Sequence, residues 1–359
     1  MMSLNPDNPI YNMFDESVQE TAPQPVLETP SFDFGSWNTG QPEEPAGRAG
    51  WFHRHPSKKE LAEQRRQNTI RQIAFPFAPP RKGGYRGKRV IVANLKGGVN
   101  KTLVACLIAA GFGQWSGKQV ALVENSPTGS LRLRLEWVPA EPRTLTDLAE
   151  TIATMDPATA AGILQSQFMV WQNQGRFAAL LGRVTDTRKD PATGERVLLD
   201  PTVTRGQTVD TLDLIARSYQ FTIIDSANSL SDAQWLGSVD VADQLVIATT
   251  WDGEALEDAK RILRVLMETG HELLAREAII VESHAPSALV NEENIKLAGD
   301  WFARYNWPVL HIPPDQNIHN GKPILWDELS VATHDATREL CAAIAARLQA
   351  HDNPDAGWK

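Results

Sequence analysis

The stretch that most constrains the fold is residues 88–102, KRVIVANLKGGVNKT. Its first part, Arg89–Leu95, is rich in valine and isoleucine, which predicts a buried strand. Two glycines, Lys101 and Thr102 follow, and then an apolar run of helical length, Leu103 to Phe112. A strand, a glycine-rich turn and a helix in this order predict a loop whose backbone N–H groups bind a phosphate at the helix N-terminus.

The polar residues of this turn have the types that a nucleotide phosphate chain requires. Lys101 would bring a positive charge to the terminal phosphates, and the Thr102 hydroxyl would ligate Mg²⁺. The backbone groups that would surround the phosphates belong to Gly97, Gly98, Val99 and Asn100. The alternative is an ordinary glycine-rich turn between a strand and a helix, with two exposed lysines.

Segments of strand character alternate with segments of helical length from residue 88 onward. The predicted strands are Arg89–Leu95, Gln119–Glu124, Arg176–Leu181, Phe221–Asp225, Gln244–Thr249, Glu277–Glu282 and Pro308–Ile312. The predicted helices are Thr102–Trp115, Thr144–Ala153, Ala158–Trp171, Gln207–Tyr219, Leu256–Glu268, Glu292–Tyr305 and Ala332–Gln349. Strands such as VIVANL and FTIID are apolar almost throughout, as parallel strands covered on both faces must be. The sequence therefore predicts a doubly wound, mainly parallel α/β sheet with helices on both faces.

The chain before this domain differs in composition, and the sequence divides into four parts. Residues 1–56 have the pattern of a disordered, acidic, proline-rich arm, and small aromatic clusters in it are typical of motifs that dock on a protein partner. A plain solvated tail is the alternative. Residues 57–87 are predicted to be a basic linker in which SKKELAEQRRQNTIRQI has the pattern of a short helix. The nucleotide-binding domain would span residues 88–350, followed by a flexible tail over residues 351–359.

Charge is distributed unevenly along the chain. The formal net charge is −9, of which residues 1–50 carry −7 and residues 51–89 carry +9, so that the remainder carries −11. An acidic main domain disfavours unspecific DNA binding, which depends on the neutralisation of phosphates. The basic stretch before the first strand is the candidate for an anionic partner, so DNA stays open as a partner without being favoured.

Composition also bears on the compartment. The chain has no run of 18 apolar residues, which predicts no transmembrane segment, and its acidic N-terminus has no secretory signal pattern. The two cysteines, Cys106 and Cys341, each lie in an apolar helical run and are predicted to be buried structural thiols. We therefore expect a cytoplasmic protein.

A second strand carries the acid that a metal-bound nucleotide needs. Phe221–Asp225, FTIID, is an apolar strand that ends in an aspartate. Asp225 would lie at the carboxyl end of a strand near the phosphate-binding turn and hold Mg²⁺, through a water molecule. An apolar strand that ends in aspartate is common by itself. It indicates a metal site here only because it accompanies the phosphate-binding turn.

The turn KGGVNKT resembles the deviant P-loop (Walker A) K-G-G-x-G-K-[ST] of the ParA/MinD family of ATPases. The resemblance implies that ATP and Mg²⁺ bind here and that a homodimer forms on ATP binding. It also implies that Lys96, the extra lysine of the motif, acts in catalysis by reaching across the dimer to the partner's phosphates. Asn100 departs from the family's glycine, but asparagine tolerates a left-handed backbone better than most residues.

The segment after the second strand is similar to the family's D-x-D-P-Q motif with substitutions. The first acid corresponds to Glu124, and the second, which positions the attacking water in the family, corresponds to Ser126. Pro127 matches, and the family's glutamine corresponds to Thr128. Glu124 would point to the same face as Ser126 and stand in partly for the missing acid. One subgroup, the MinD-like ATPases found with actinobacterial type VII secretion systems (EspI-type), has a D-A-N-P-D pattern at this place, which the chain resembles more closely.

The segment IPPDQNIHNGKPI, residues 312–324, resembles the family's C-terminal loop, which holds the adenine base. The resemblance implies that Pro313, Pro314 and Asp315 lie near the base. The sequence thus predicts a ParA/MinD-like protein whose ATP-dependent dimer is a positioning or assembly switch, with slow or absent hydrolysis. A plasmid or chromosome partition ATPase that binds DNA and a degenerate P-loop scaffold without turnover are the two alternatives.

Overall fold

The computed structural model describes residues 57–74, 86–126, 129–182, 187–189, 193, 195–198, 203–283, 292–319 and 321–352. The predictions for the arm, for residues 75–85, for Pro127 and Thr128 and for the tail beyond residue 352 lie outside these residues. Within them the strands are β1 (Lys88–Ala93), β2 (Val120–Asn125), β3 (Val170–Gln172), β4 (Phe177–Leu180), β5 (Thr187–Lys189), β6 (Arg196–Leu198), β7 (Phe221–Ser226), β8 (Gln244–Thr249), β9 (Ile279–Ser283) and β10 (Val309–Ile312). The helices are α1 (Lys58–Ala74), α2 (Lys101–Trp115), α3 (Leu145–Thr154), α4 (Pro157–Gln167), α5 (Arg205–Ser218), α6 (Ala233–Val241), α7 (Gly253–Glu268), α8 (Glu272–Arg276), α9 (Glu292–Arg304) and α10 (Val331–Asp352).

Eight of the described strands form one sheet in the order β10-β9-β8-β1-β7-β2-β4-β3, and β5 pairs with β6 in a separate hairpin. All neighbours in the large sheet are parallel except β3, which runs antiparallel to β4 at the edge. Strands β1, β7 and β2 are adjacent, and their register pairs Asp225 with Val92 on one side and with Glu124 on the other. The carboxyl ends of these three strands therefore meet at one edge, as the doubly wound prediction requires. The predicted fold class is confirmed.

The core explains why the central strands are apolar on both sides. Val90 and Val92 pack into a cluster with α2 and α10, and the intervening Ile91 is equally buried on the opposite face. Helix α2 is apolar around most of its circumference because it lies between the sheet and α10. Across the residues that the structure describes, no helix combines the length and the apolar character needed to cross a lipid bilayer.

Helix α1 packs against α10, where the sequence suggested a linker with a short helix. Ile73 is 1% exposed, Arg66 forms a 3.0 Å ion pair with Asp335, and the Gln349 side chain donates to the Gln72 carbonyl at 3.2 Å. Residues 58–74 therefore belong to the same compact unit as the sheet. The other domain boundaries stay predictions.

Two details of the predicted elements are wrong. The helix predicted to extend to Trp171 ends at Gln167, because Val170–Gln172 pairs with β4 as an edge strand. Valine and tryptophan favour that pleated, half-buried position, and tertiary pairing overrides the helical pattern. Helices α6 and α8 are absent from the prediction, although Asp232 is a standard N-cap residue whose side chain accepts from Gln234 N at 2.8 Å.

Candidate functional site

The candidate site begins at residues 94–100, called the phosphate loop below, which connects β1 to α2. Gly98 and Asn100 both have left-handed backbones, with φ of 82° and 63°. Asparagine is among the few residues that adopt this conformation readily, so Asn100 can stand where glycine is usual. Val99 between them is buried, and an added methyl group would meet no atom within 4 Å at Gly97 or at Gly98. The loop therefore has open space above its two glycines.

The N-terminus of α2 has no side-chain cap. Asn100 occupies the N-cap position, but its side chain makes no capping hydrogen bond. Its amide instead donates to Ser283 Oγ, at the end of β9, at 3.1 Å. The first N–H groups of a helix need acceptors, and an anion at this end is stabilised by them and by the helix dipole.

Lys101 opens α2 and is only 8% exposed. Its Nζ donates to the carbonyl of Lys96 at 2.9 Å. Burial lowers the pKa of Lys101 to about 8, although the charges of Asp225 and Asp258 act in the opposite direction. A buried ammonium group of this kind is stabilised by an anionic partner, and a phosphate on the loop would provide one.

Thr102 and Asp225 join the loop to β7. The Thr102 hydroxyl donates to Asp225 Oδ2 at 2.7 Å, and Asp225 is 4% exposed. Burial raises the pKa of Asp225 to about 6, against the opposing effects of the Thr102 hydrogen bond and the Lys101 charge. A hydroxyl and a carboxylate side by side are oxygen ligands that suit Mg²⁺, so these two residues fit the predicted metal site.

Lys96 is held by the N-terminus of α7. Its Nζ contacts Asp252 Oδ1 at 2.6 Å and Glu254 Oε2 at 2.9 Å. The hydrogen bonds that the ammonium donates to these two carboxylates raise the pKa of Lys96 to about 12. Asn94 supports the same corner, because its side chain accepts from Lys96 N at 3.0 Å and donates to the Ala248 carbonyl at 2.8 Å. Asn94, Asp252 and Glu254 were not predicted as site residues from the sequence. Of the three, only Asp252 had a recognisable signal, because it is an aspartate at the N-cap of a helix.

Two buried side chains at the end of β2 form hydrogen bonds within the fold. Glu124 is 2% exposed and accepts from Leu131 N at 2.6 Å and from Gly182 N at 2.9 Å. Burial raises the pKa of Glu124 to about 7, although both backbone hydrogen bonds favour the ionised form. The Asn125 amide donates to the Gln234 carbonyl of α6 at 2.8 Å. Ser126 follows directly and is half-buried.

The predicted base loop contains one buried carboxylate. Pro313 is half-buried and Pro314 is exposed, whereas Asp315 is 3% exposed. The carboxylate of Asp315 accepts from Ser330 N and from the Thr333 hydroxyl, both at 2.7 Å. Burial alone would raise the pKa of Asp315, but its hydrogen bonds outweigh burial and lower it. Asp315 thus ties the loop to the start of α10, and among the described residues its carboxylate accepts from Asn317, Ser330 and Thr333 rather than from the phosphate loop.

Comparison with known proteins gives one family and a set of folds. The sequence model of the CobQ/CobB/MinD/ParA nucleotide binding domain matches residues 90–322. Among curated proteins, no sequence is significantly similar to the chain.

Many solved structures are similar to this chain, and three of them are compared with it. A chain of the MinC:MinD cell division protein complex of Aquifex aeolicus has 18% identity and a TM-score of 0.51, covering 71% of this chain and 95% of that one. The septum site-determining protein MinD of Pyrococcus horikoshii, complexed with Mg-ADP, has 16% identity and a TM-score of 0.50, covering 71% and 94%. Cobyrinic acid a,c-diamide synthase of Mycobacterium smegmatis, with a bound ATP analogue and magnesium, has 18% identity and a TM-score of 0.50, covering 76% and 97%. At these identities the likeness shows the fold.

Proposed function

Because the chain belongs to the CobQ/CobB/MinD/ParA nucleotide-binding domain family, we propose that it binds ATP with Mg²⁺ and forms a dimer when ATP is bound. The observation that carries the proposal is the start of α2, where buried Lys101 lies beside the Thr102–Asp225 hydrogen bond. The uncapped helix N-terminus and the open space above Gly97 and Gly98 support it. The nucleotides and magnesium in two similar folds agree with this ligand class.

The roles follow from the position of each group. Backbone N–H groups of residues 97–100 and the Lys101 ammonium would bind the phosphates, since both lie at the positive end of α2. Thr102 and Asp225 would hold Mg²⁺, which would neutralise phosphate charge. Residues 313–315 would border the base, with Asp315 shaping the loop from behind through its bonds to Ser330 and Thr333.

The test is the thermal stability of the purified full chain with and without ATP and Mg²⁺. Ligand at about a hundred times its dissociation constant adds roughly 2.7 kcal/mol. For a domain of this size the melting temperature rises by a few degrees, on the order of 2–4 °C. Lys101→Ala is expected to abolish the rise. The matched control Lys118→Ala is expected to keep it, because Lys118 precedes β2 and so lies at the amino ends of the parallel strands. A wild-type protein without a rise at roughly millimolar ATP would support the scaffold alternative.

Dimer formation is proposed to depend on Lys96. In this structure Asp252 and Glu254 of the same chain hold its ammonium group, so reaching a second subunit requires breaking both contacts. Lys96→Ala is therefore expected to bind ATP and stay monomeric. Light scattering of wild type and variant with ATP and Mg²⁺ measures this directly, and a wild-type protein that stays monomeric at saturating ATP contradicts the proposal.

Hydrolysis is proposed to be slow. In-line attack needs a positioned water, and the place of the family's second acid is taken by Ser126, whose hydroxyl carries no charge. Glu124 is a poor substitute, because both of its oxygens accept backbone hydrogen bonds within the fold. The nucleotide state would then persist, which suits a long-lived assembly switch better than a cycling motor.

Within the family, we place the chain near the EspI-type ATPases of type VII secretion on the motif after β2, and we propose a protein partner for the acidic arm. The chain without residues 1–56 is expected to show the same ATP-dependent rise in melting temperature. It is also expected to lose the protein partner that the full chain captures in a pull-down experiment. A partner recovered equally by both chains would exclude the arm as the docking segment.

A partition ATPase is the second candidate, and α1 is the observation that favours it. This helix exposes Lys58, Lys59, Arg65 and Arg71, a composition suited to phosphates. A salt-dependent gel shift of duplex DNA that is lost in a Lys58→Ala, Lys59→Ala double variant would support this candidate. No shift at low salt would exclude it.

A further inference from the structure

Glu124 lies where the sequence analysis expected an acid that helps hydrolysis, yet its carboxylate is built into the scaffold. Its two oxygens accept from Leu131 N at 2.6 Å and from Gly182 N at 2.9 Å. Leu131 starts a short 3₁₀ turn seven residues further along the chain, whereas Gly182 follows the neighbouring strand β4. One side chain therefore joins the end of β2, the turn after it and the end of β4.

The backbone of Gly129 passes directly over the carboxylate. A methyl group on Gly129 would lie 1.8 Å from Glu124 Oε1. Heavy atoms do not approach this closely, so a side chain at position 129 would displace the carboxylate from its present place. The carboxylate is also held in a buried place, since Glu124 is 2% exposed.

The same contacts determine where Ser126 lies. Gly182, whose N–H is held by Glu124, packs under Ser126 so closely that a methyl group on it would lie 2.8 Å from Ser126 O. On the other side Asn125 binds the Gln234 carbonyl of α6 at 2.8 Å, and the Gln234 side chain returns a 3.0 Å bond to Asn125. The peptide that enters Ser126 is thus held from β4 and from α6.

We propose that Glu124 is a positioning residue, which closes the turn after β2 over β4 and thereby holds Ser126 in place, and that it does not act on the attacking water. The inference deepens the proposed function, on which its catalytic consequence rests. Its structural consequence does not require nucleotide, because the bonded amides belong to the folded chain itself. A glutamate is needed at this position since its two oxygens must span two backbone segments.

The first experiment measures hydrogen exchange of the Leu131 and Gly182 amides in the full chain without nucleotide. Hydrogen bonds to charged groups are strong enough that Glu124→Gln should speed exchange at both amides roughly tenfold to hundredfold. Gly129→Ala, which displaces the same carboxylate without removing it, should do the same. Gly162→Ala, at a helical glycine with open space around it, is the matched control and should change nothing.

The second experiment uses ATP turnover in a Ser126→Asp background, where an acid has been restored. Glu124→Gln should lower kcat there and leave the affinity for ATP unchanged, because the two hydrogen bonds of the Glu124 carboxylate are made with Leu131 and Gly182, outside the phosphate loop. Unchanged exchange at Leu131 and Gly182 in both variants would overturn the proposal, as would lost turnover with unchanged exchange, since that would make Glu124 an acid or base. Absence of ATP binding would defeat the proposed function and leave the exchange result to decide on Glu124.

Discussion

The phosphate loop and the turn after β2 leave neighbouring strand ends of one sheet, and they use their polar groups in opposite ways. In the phosphate loop the first amides of α2 have no side-chain cap, and the buried ammonium of Lys101 is bound to a backbone carbonyl. After β2, the side chains of Glu124 and Asn125 form hydrogen bonds with backbone groups of the protein itself. The difference indicates that one loop is arranged to receive an anion, whereas the other is arranged to be rigid. The proposed binding of ATP with slow hydrolysis depends on this difference, and the predictions below test it.

The largest expected effect comes from placing a carboxylate in the rigid turn. Ser126→Asp should raise ATP turnover by about 10²–10³, the usual contribution of a group that orients charge in the transition state. Steady-state ATPase of wild type and variant measures it, with ATP affinity as the control. A wild-type turnover on the order of one per minute or faster, without a partner, would contradict slow hydrolysis. So would a variant that binds ATP normally and gains nothing, which would move the defect to Asn100.

The second prediction concerns the contact that joins the phosphate loop to β7. Thr102→Val keeps the shape of the side chain but removes the donor to Asp225, leaving a buried carboxylate without it. Losing a hydrogen bond to a charged group should cost about 1.5–3 kcal/mol of unfolding free energy in the nucleotide-free protein. Urea denaturation of the variant beside Thr102→Ser, which keeps the hydroxyl, tests this. Equal stability of the two variants would mean that the hydroxyl is not a structural donor.

The third prediction separates the two adjacent glycines of the phosphate loop. Gly98 has φ of 82°, so Gly98→Ala should cost about 1–2 kcal/mol of stability, the penalty of a side chain in the left-handed region. Gly97 has ordinary φ and open space around it, so Gly97→Ala should stay within about 0.5 kcal/mol of wild type. Thermal unfolding without nucleotide compares them. Equal losses would show that the loop relaxes on substitution and is less defined than its geometry indicates.

The fourth prediction concerns Asn100, where the expected difference is as small as that at Gly98. Asn100→Gly keeps the left-handed backbone and loses the bond to Ser283, whereas Asn100→Ala loses the bond and adds strain. The alanine variant should therefore be less stable than the glycine variant by about 1–2 kcal/mol. Denaturation midpoints of the two variants decide it. If alanine were as stable as glycine, the backbone at this position would not be held in the left-handed region by the fold.

Much of the candidate nucleotide site, the phosphate loop and the end of β7, could be predicted from the sequence, because its determinants are local. The phosphate loop is defined by consecutive residues whose backbone needs, at Gly98 and Asn100, are properties of the residue types themselves. Strands β1 and β7 are apolar on both sides, and only burial on both faces explains that pattern. The placement of Asp225 opposite Thr102 follows once the strands are parallel and adjacent.

The tertiary structure decided what the remaining charged residues do. Glu124, Asp315 and Lys96 looked alike in the sequence as candidates for chemistry, but each is committed by partners 7 to 156 residues away in the chain. No local pattern carries that information, because a hydrogen bond donated by Gly182 N or Ser330 N, or accepted by Asp252, depends on how distant segments pack. The residues of β3 were predicted to be helical, but they form an edge strand because they pair with β4 in the folded chain. Sequence therefore determined the kind of site, and long-range packing determined which of its charges remain available to a ligand.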